Sequence, residues 1–175
     1  IIYSVNYDGV KNLFSAVTDA KLFVYVSGLA VFDPTYDVIT EVTPKNYNNF
    51  QNQPWEKVIE LLHIDSSIET IQALEYLYDS YYVQKHNDWK EYASKSFQPG
   101  DMFLDSVMDL TSRIFTDFKY QPNATTIATP LHEVFLQKSG VCQDFSHFQI
   151  ACLRSLGIPT RYVSGYLLTT PNPDK

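Results

Sequence analysis

Residues 141–156, VCQDFSHFQIACLRSL, constrain this chain more than any other stretch. Phe145, Phe148, Ile150, Ala151, Cys152, Leu153 and Leu156 cover more than one stripe of a helix. A helix that is apolar around most of its circumference is a central, buried one. Gly157 and Pro159 follow it, a left-handed stop and a residue that cannot continue the helix. Any fold this chain adopts must therefore wrap other elements around a helix over about 142–156.

The rest of the chain is long enough to do so. Its 175 residues suffice for one domain with a real core or two small ones. With 45% hydrophobic and 19% charged residues, it reads as globular rather than disordered. The formal net charge of −7 disfavours nucleic acid, which demands clustered Lys and Arg, and an anionic membrane surface. No apolar run approaches the roughly 18–20 residues of a membrane span. The chain opens on Ile1-Ile2-Tyr3 without an initiator Met and reads as processed or partial. If Cys142 and Cys152 share one helix, about 15 Å separates them, too far for a disulfide. With no disulfide framework, a reducing, cytoplasmic compartment is expected.

The first fifty residues read as β. Segments 22–32 and 37–42 are rich in Val, Ile, Phe and Tyr, with Asp33-Pro34 between them, and 8–17 offers an Asp-Gly turn and a short strand. Too few for a sandwich alone, they suggest the end of a larger β-domain over 1–53. The polar run 43–54 is the linker candidate. A helix is predicted from Pro54-Trp55, a second over about 67–80, an extended piece at 80–83, and a short polar helix over about 88–95. After Pro99-Gly100, Asp101 is the candidate cap of a helix whose apolar face is Leu104, Val107, Met108, Ile114, Phe115 and Phe118. Thr129 is the candidate cap of the next, with Pro130 in its first turn, Leu131, Val134 and Phe135 inward, and Gly140 as its stop. Segment 160–168 reads as a strand, and 169–175 as a polar loop.

Cys142 opens the central helix. A thiol in a first turn feels unpaired N–H groups and the positive end of the helix dipole, which favour thiolate and can also stabilise an oxyanion. Against this stands the plain alternative that free Cys is commonly a small core residue. Cys152, mid-helix between Ala151 and Leu153, is structural. A base is harder to find among His63, His86, His132 and His147. His147 lies five residues on, about 140° round the axis from Cys142, and reads as a core or supporting histidine. His132 lies in the first turn of the preceding helix, while His63 and His86 read as surface residues. Asp144 suits a helix N-terminus, or orients a neighbour by accepting hydrogen bonds. Gln143 can donate to a substrate carbonyl, but an exposed Gln in a first turn is common and unspecific. No His or Cys spacing supports a metal site, and no cofactor is expected.

The run 139-SGVCQDFSHFQIACLRSLGIPTRYVSGYL-167 resembles the core of the transglutaminase-like superfamily, in its bacterial branch. The pattern is Gly-Val-Cys-x-Asp-Phe, a buried helix, Leu-Gly-Ile-Pro, then Arg-Tyr-Val-Ser-Gly-Tyr. The aromatic-rich 115–135, with its Thr-Pro-Leu, is similar too, and the resemblance covers about 96–169. It implies an α+β, papain-like core over 54–175, helices packed on an antiparallel sheet with the Cys at a helix N-terminus. A partial β-sandwich-like domain would precede it. It implies Cys142 as nucleophile and backbone oxyanion donor; Gln143 and Asp144, read from their place in the first turn, are the candidate supporting residues. The family's His and Asp follow the Arg-Tyr-Val-Ser-Gly-Tyr strand, so they are expected beyond Lys175 and the core is incomplete at its C-terminal end. Two functions then compete. One is a cysteine-dependent amide hydrolase or acyl transferase acting on peptides or proteins, with glycan amides as a weaker variant. The other is a non-catalytic binding or assembly module, since fold does not dictate activity.

Overall fold

The structure, a computed structural model, describes residues 24–26 and 53–162. Strand β1 (Val24–Val26) comes first, then helix α1 (Trp55–Ile64) and helix α2 (Ile68–Leu74), which tightens into a 3₁₀ turn over Glu75–Leu77. Helix α3 (Asn87–Ser94) and helix α4 (Phe103–Asp117) lead to strand β2 (Lys119–Tyr120). Helix α5 (Leu131–Gln137), strand β3 (Ser139–Gly140), helix α6 (Cys142–Ser155) and strand β4 (Thr160–Tyr162) complete the order. No helix among them is long and apolar enough to cross a membrane.

Helix α6 is the buried centre that its composition demands. Phe148, Ile150, Ala151, Cys152 and Leu153 are fully buried. Trp89 and Tyr92 of α3 set their ring edges against Phe148 at 5.4 and 5.1 Å between centroids, and Phe135 of α5 stacks on it at 5.4 Å. Val107, Leu110 and Ile114 of α4 complete the same core. A ring cluster of this kind contributes by buried area and by edge-to-face geometry together. The end of α6 follows from Gly157, which takes φ +85°. Its N–H donates to the Arg154 carbonyl and that of Ile158 to the Leu153 carbonyl, both at 3.0 Å, the paired closure that a left-handed glycine permits. Arg154, itself buried, then donates from Nε and Nη2 to the Thr160 carbonyl at 3.0 and 2.8 Å and from Nη1 to that of Tyr78. One side chain thus ties β4 and the end of the 3₁₀ turn to the central helix.

The strand pairings correct the expected antiparallel sheet. Both ladders among the described residues are parallel, β1 with β4 and β2 with β3. Parallel partners need a long crossover. Helix α5 supplies one between β2 and β3, and most of the chain separates β1 from β4. Beyond Val24–Val26, which pair with β4, the expected β-segments of 1–53 lie outside the described residues. So does the continuation of the 160–168 strand after Tyr162.

Several local expectations are also corrected. Segment 80–83 is a turn, not extended: the Ser80 N–H donates to the Val83 carbonyl at 2.8 Å, and the Val83 N–H donates back at 3.2 Å. Asp101 does not cap α4, because its carboxylate accepts the Gln98 N–H at 2.9 Å and closes the Pro99-Gly100 turn. Met108 and Phe115, seven residues apart on one stripe, are 37% and 62% exposed, since the core takes only the neighbouring stripe of Val107, Leu110 and Ile114. Thr129 does not cap α5; its hydroxyl accepts the Thr126 N–H inside the preceding loop. Gly140 does not stop α5 either. Lys138 does, in left-handed backbone at φ 51°, with its ammonium 3.4 Å from the Phe135 ring centroid and 4.6 Å from that of Phe118. Cation–π contact of this kind offsets part of the cost of a left-handed non-glycine residue.

Candidate functional site

Helix α6 begins directly after β3, so the β2–β3 ladder places its mouth. The Lys119 N–H donates to the Lys138 carbonyl and the Gln121 N–H to that of Gly140, at 2.8 and 2.9 Å. Cys142 is the first residue of α6 and half-buried, Cys152 is wholly buried, and neither forms a disulfide. The Ser146 hydroxyl donates to the Cys142 carbonyl at 2.8 Å.

Asp144 organises the mouth. Its Oδ2 accepts the Val141 N–H at 2.8 Å and the Thr125 hydroxyl at 2.6 Å. The first bond satisfies an orphan donor of the helix N-terminus, and a carboxylate there is favoured by the dipole. The second pins the 121–130 loop to the helix. Gly140 makes room for it: a Cβ at that position would lie 2.6 Å from Asp144 Oδ2 and 3.0 Å from Asp144 Cβ. Gly140 is therefore required by close approach.

The Cys142 thiol does not behave as its position alone suggests. Burial pushes it above its ordinary value; its own backbone hydrogen bond lowers it, and the Asp144 carboxylate raises it again. Desolvation outweighs that hydrogen bond. Burial also holds the His147 imidazole below its usual value, opposed by Asp144 and reinforced by Arg154. Complete burial raises the Cys152 thiol further, as expected of a core cysteine.

A cleft of about 610 Å³ lies beside the mouth, in the size range of ligand sites. Its walls are the 81–86 segment with Trp89, the 125–132 loop, and Gln143, Asp144 and His147 on α6. Cys142 is not among the residues that line it; it sits about 100° round the helix from Gln143. His132 and His86 both reach this cleft, their ring centroids 6.1 Å apart, whereas His63 lies exposed in the last turn of α1. His86 is thus a cleft residue as well as the cap of α3, where its Nδ1 accepts the Asp88 N–H. Tyr82, Trp89 and Thr125 were not singled out by sequence, because only the folding of segments remote in the chain brings them to α6. Among the described residues no group of three His, Cys, Asp or Glu is arranged to hold a metal ion.

Comparison with known proteins gives three results. The model of the Transglutaminase-like superfamily matches residues 74–173. Uncharacterized proteins of Mycobacterium bovis and Mycobacterium tuberculosis are each 39% identical over 145 residues, an alignment covering 81% of this chain and 45% of theirs. The chain thus spans under half the length of these relatives. A crystal structure titled as a "Putative Cysteine Protease" from Cytophaga hutchinsonii aligns at TM-score 0.47 and 27% identity, over 55% of this chain and 32% of that one.

Proposed function

The chain belongs to the transglutaminase-like superfamily, and on that premise we propose that it is the Cys-bearing part of a thiol-dependent amide hydrolase or acyl transferase acting on peptides or proteins. Cys142 Sγ attacks the amide carbonyl, an S–C bond forms, and the C–N bond breaks as the amine leaves with a proton. Water or a second amine then cleaves the thioester. The observation that carries this reading is the place of Cys142 as the first residue of α6. There the N–H groups of the first turn, its own among them, can face the oxyanion. Asp144 supports the site by fixing the helix mouth rather than by touching substrate, and Gln143 faces the cleft.

The raised thiol calls for a base. His147 is set about 140° round the helix from Cys142 and does not suit that role. The proposal assigns the base to a histidine, oriented by an aspartate, on strands that follow β4 in the full-length protein.

A second reading draws on the same raised thiol and on its position outside the cleft. In it the chain is a binding or assembly module that keeps the fold without the chemistry. One experiment separates the two. The full-length protein is incubated with a capped glutaminyl peptide and examined by mass spectrometry. A hydroxylamine-labile acyl adduct on the Cys142 peptide, absent from Cys142→Ala, is the expected result. Amide turnover that survives Cys142→Ala would overturn the nucleophile assignment, and a Cys142 that never acylates would favour the module.

A further inference from the structure

Gln143 and His147 are four residues apart on α6 and both line the cleft. Neither side chain has a hydrogen-bond partner among the described residues, although every other polar residue of the α6 mouth is engaged. His147 is nonetheless held still. Its ring stacks on Tyr82 at 5.6 Å and 9°, and Tyr162 covers it from another direction at 5.3 Å. An imidazole clamped between two rings, with its nitrogens uncommitted beside a cleft, has the form of a preorganised recognition group. The cleft offers it little charge to accompany: among the described residues Lys85 and Asp144 are its only Lys, Arg, Asp or Glu, of opposite sign, and Asp144 is committed to Thr125 and Val141.

The spacing identifies the ligand. Residues i and i+4 of a helix are about 6 Å apart along its axis. Peptide groups on the same side of an extended chain repeat about every 6.6–6.8 Å. A neutral imidazole offers one donor and one acceptor, and a carboxamide offers both, which matches the needs of alternate main-chain amides on one side of the segment. Tyr82, itself exposed, adds an aromatic wall on which a side chain of the bound segment can rest.

We propose that Gln143 and His147 form a rail that binds the main chain of an extended, uncharged peptide segment along α6, with Tyr82 receiving one of its side chains. This deepens the thiol-enzyme reading and rests on it for the bound peptide being a substrate, but binding itself needs no chemistry at Cys142. His147 is thereby a specificity-determining residue rather than a base.

The test is a fluorescence titration of the full-length Cys142→Ala protein with N-acetyl-Phe-Gln-Gly-Ser-amide, read from the tryptophan emission. His147→Phe keeps a ring against Tyr82 and removes the hydrogen bond; Gln143→Leu removes the other. Each is expected to weaken binding about three- to tenfold, the range one hydrogen bond contributes, while His147→Gln restores most of the loss. Methylation of the peptide amide nitrogen that meets His147 is expected to weaken binding to the parent by the same factor and to leave His147→Phe unmoved, a result that does not depend on any variant's stability. Equal binding of all variants and of every N-methylated peptide would overturn the rail. Tighter binding of a trimer of N-acetylglucosamine than of the peptide, or no peptide binding at all, would overturn it too. Acylation of Cys142 is measured separately, so loss of the rail and loss of the nucleophile give different results.

Discussion

The Thr125 hydroxyl donates to Asp144 Oδ2 across 2.6 Å, and through this bond a surface loop is fastened to the first turn of the Cys142 helix. The acceptor is a buried carboxylate, 8% exposed, that also holds the Val141 N–H. Hydrogen bonds to charged groups contribute about 1.5–3 kcal/mol. Thr125→Val keeps the shape and removes the donor, so urea denaturation should show a loss within that range. Amide exchange should quicken in residues 124–129 more than in α4. Unchanged stability would show that the loop is held by other means.

Gly140 faces the same carboxylate. Because an added Cβ would meet Asp144 Oδ2 at 2.6 Å, Gly140→Ala forces Asp144 off its two partners. The expected cost is about 2 kcal/mol or more, the scale of a broken buried network. The informative measurement is a double-mutant cycle. In an Asp144→Ala background the same Gly140→Ala change should cost clearly less, because the Oδ2 clash and the bonds are gone and only the 3.0 Å approach to the Cβ at position 144 is left. Full additivity would disprove the coupling.

The fate of Gly140 shows how far sequence carries. As a glycine after a helical pattern it reads as a helix stop, and one does occur nearby, at Lys138. Its actual constraint comes from Asp144, four residues on, and is visible only once the turn has formed. The Cys142–Ser155 helix, its central burial and its Gly157 stop were legible because apolar periodicity and glycine punctuation are local. Cys142 and Asp144 were legible as first-turn residues for the same reason. Thr125 and Tyr82 were not, since a cleft wall made by loops leaves no periodic trace. Nor was the rise of the Cys142 thiol, which comes first from the surroundings packed over it.

Protonation of His147 should register in folding. Its folded-state value lies below the ordinary one, first because of burial, with Asp144 opposing and Arg154 reinforcing the shift, and with Tyr82 and Tyr162 flanking the ring. The unfolded chain therefore binds a proton more readily. Stability is complete above about pH 6.5, the unperturbed value, and declines as pH falls from there towards the depressed folded value. His147→Phe retains a ring in the stack and cannot titrate. Its melting temperature should fall less than that of the parent between pH 7 and 5, and parallel curves would mean that the imidazole titrates alike in both states.

The two cysteines provide the sharpest test of the site. Cys142 is half-buried with a raised thiol; Cys152 has no exposed surface, and burial raises it further. Alkylation requires thiolate and access. In folded chain 1–175, iodoacetamide should therefore label Cys142 well before Cys152. The Cys142 rate should climb with pH to a midpoint above that of a free thiol, near 8.5. A full-length protein that brings an imidazole to Cys142 should move that midpoint down, because an imidazolium neighbour stabilises thiolate. Peptide mapping after pulsed labelling from pH 6 to 10 measures both. A Cys142 midpoint already below 8.5 in the short chain would mean that the helix end, not burial, governs the thiol. An unmoved midpoint in the full-length protein would remove the base from the proposed mechanism and leave α6 the framework of a binding module.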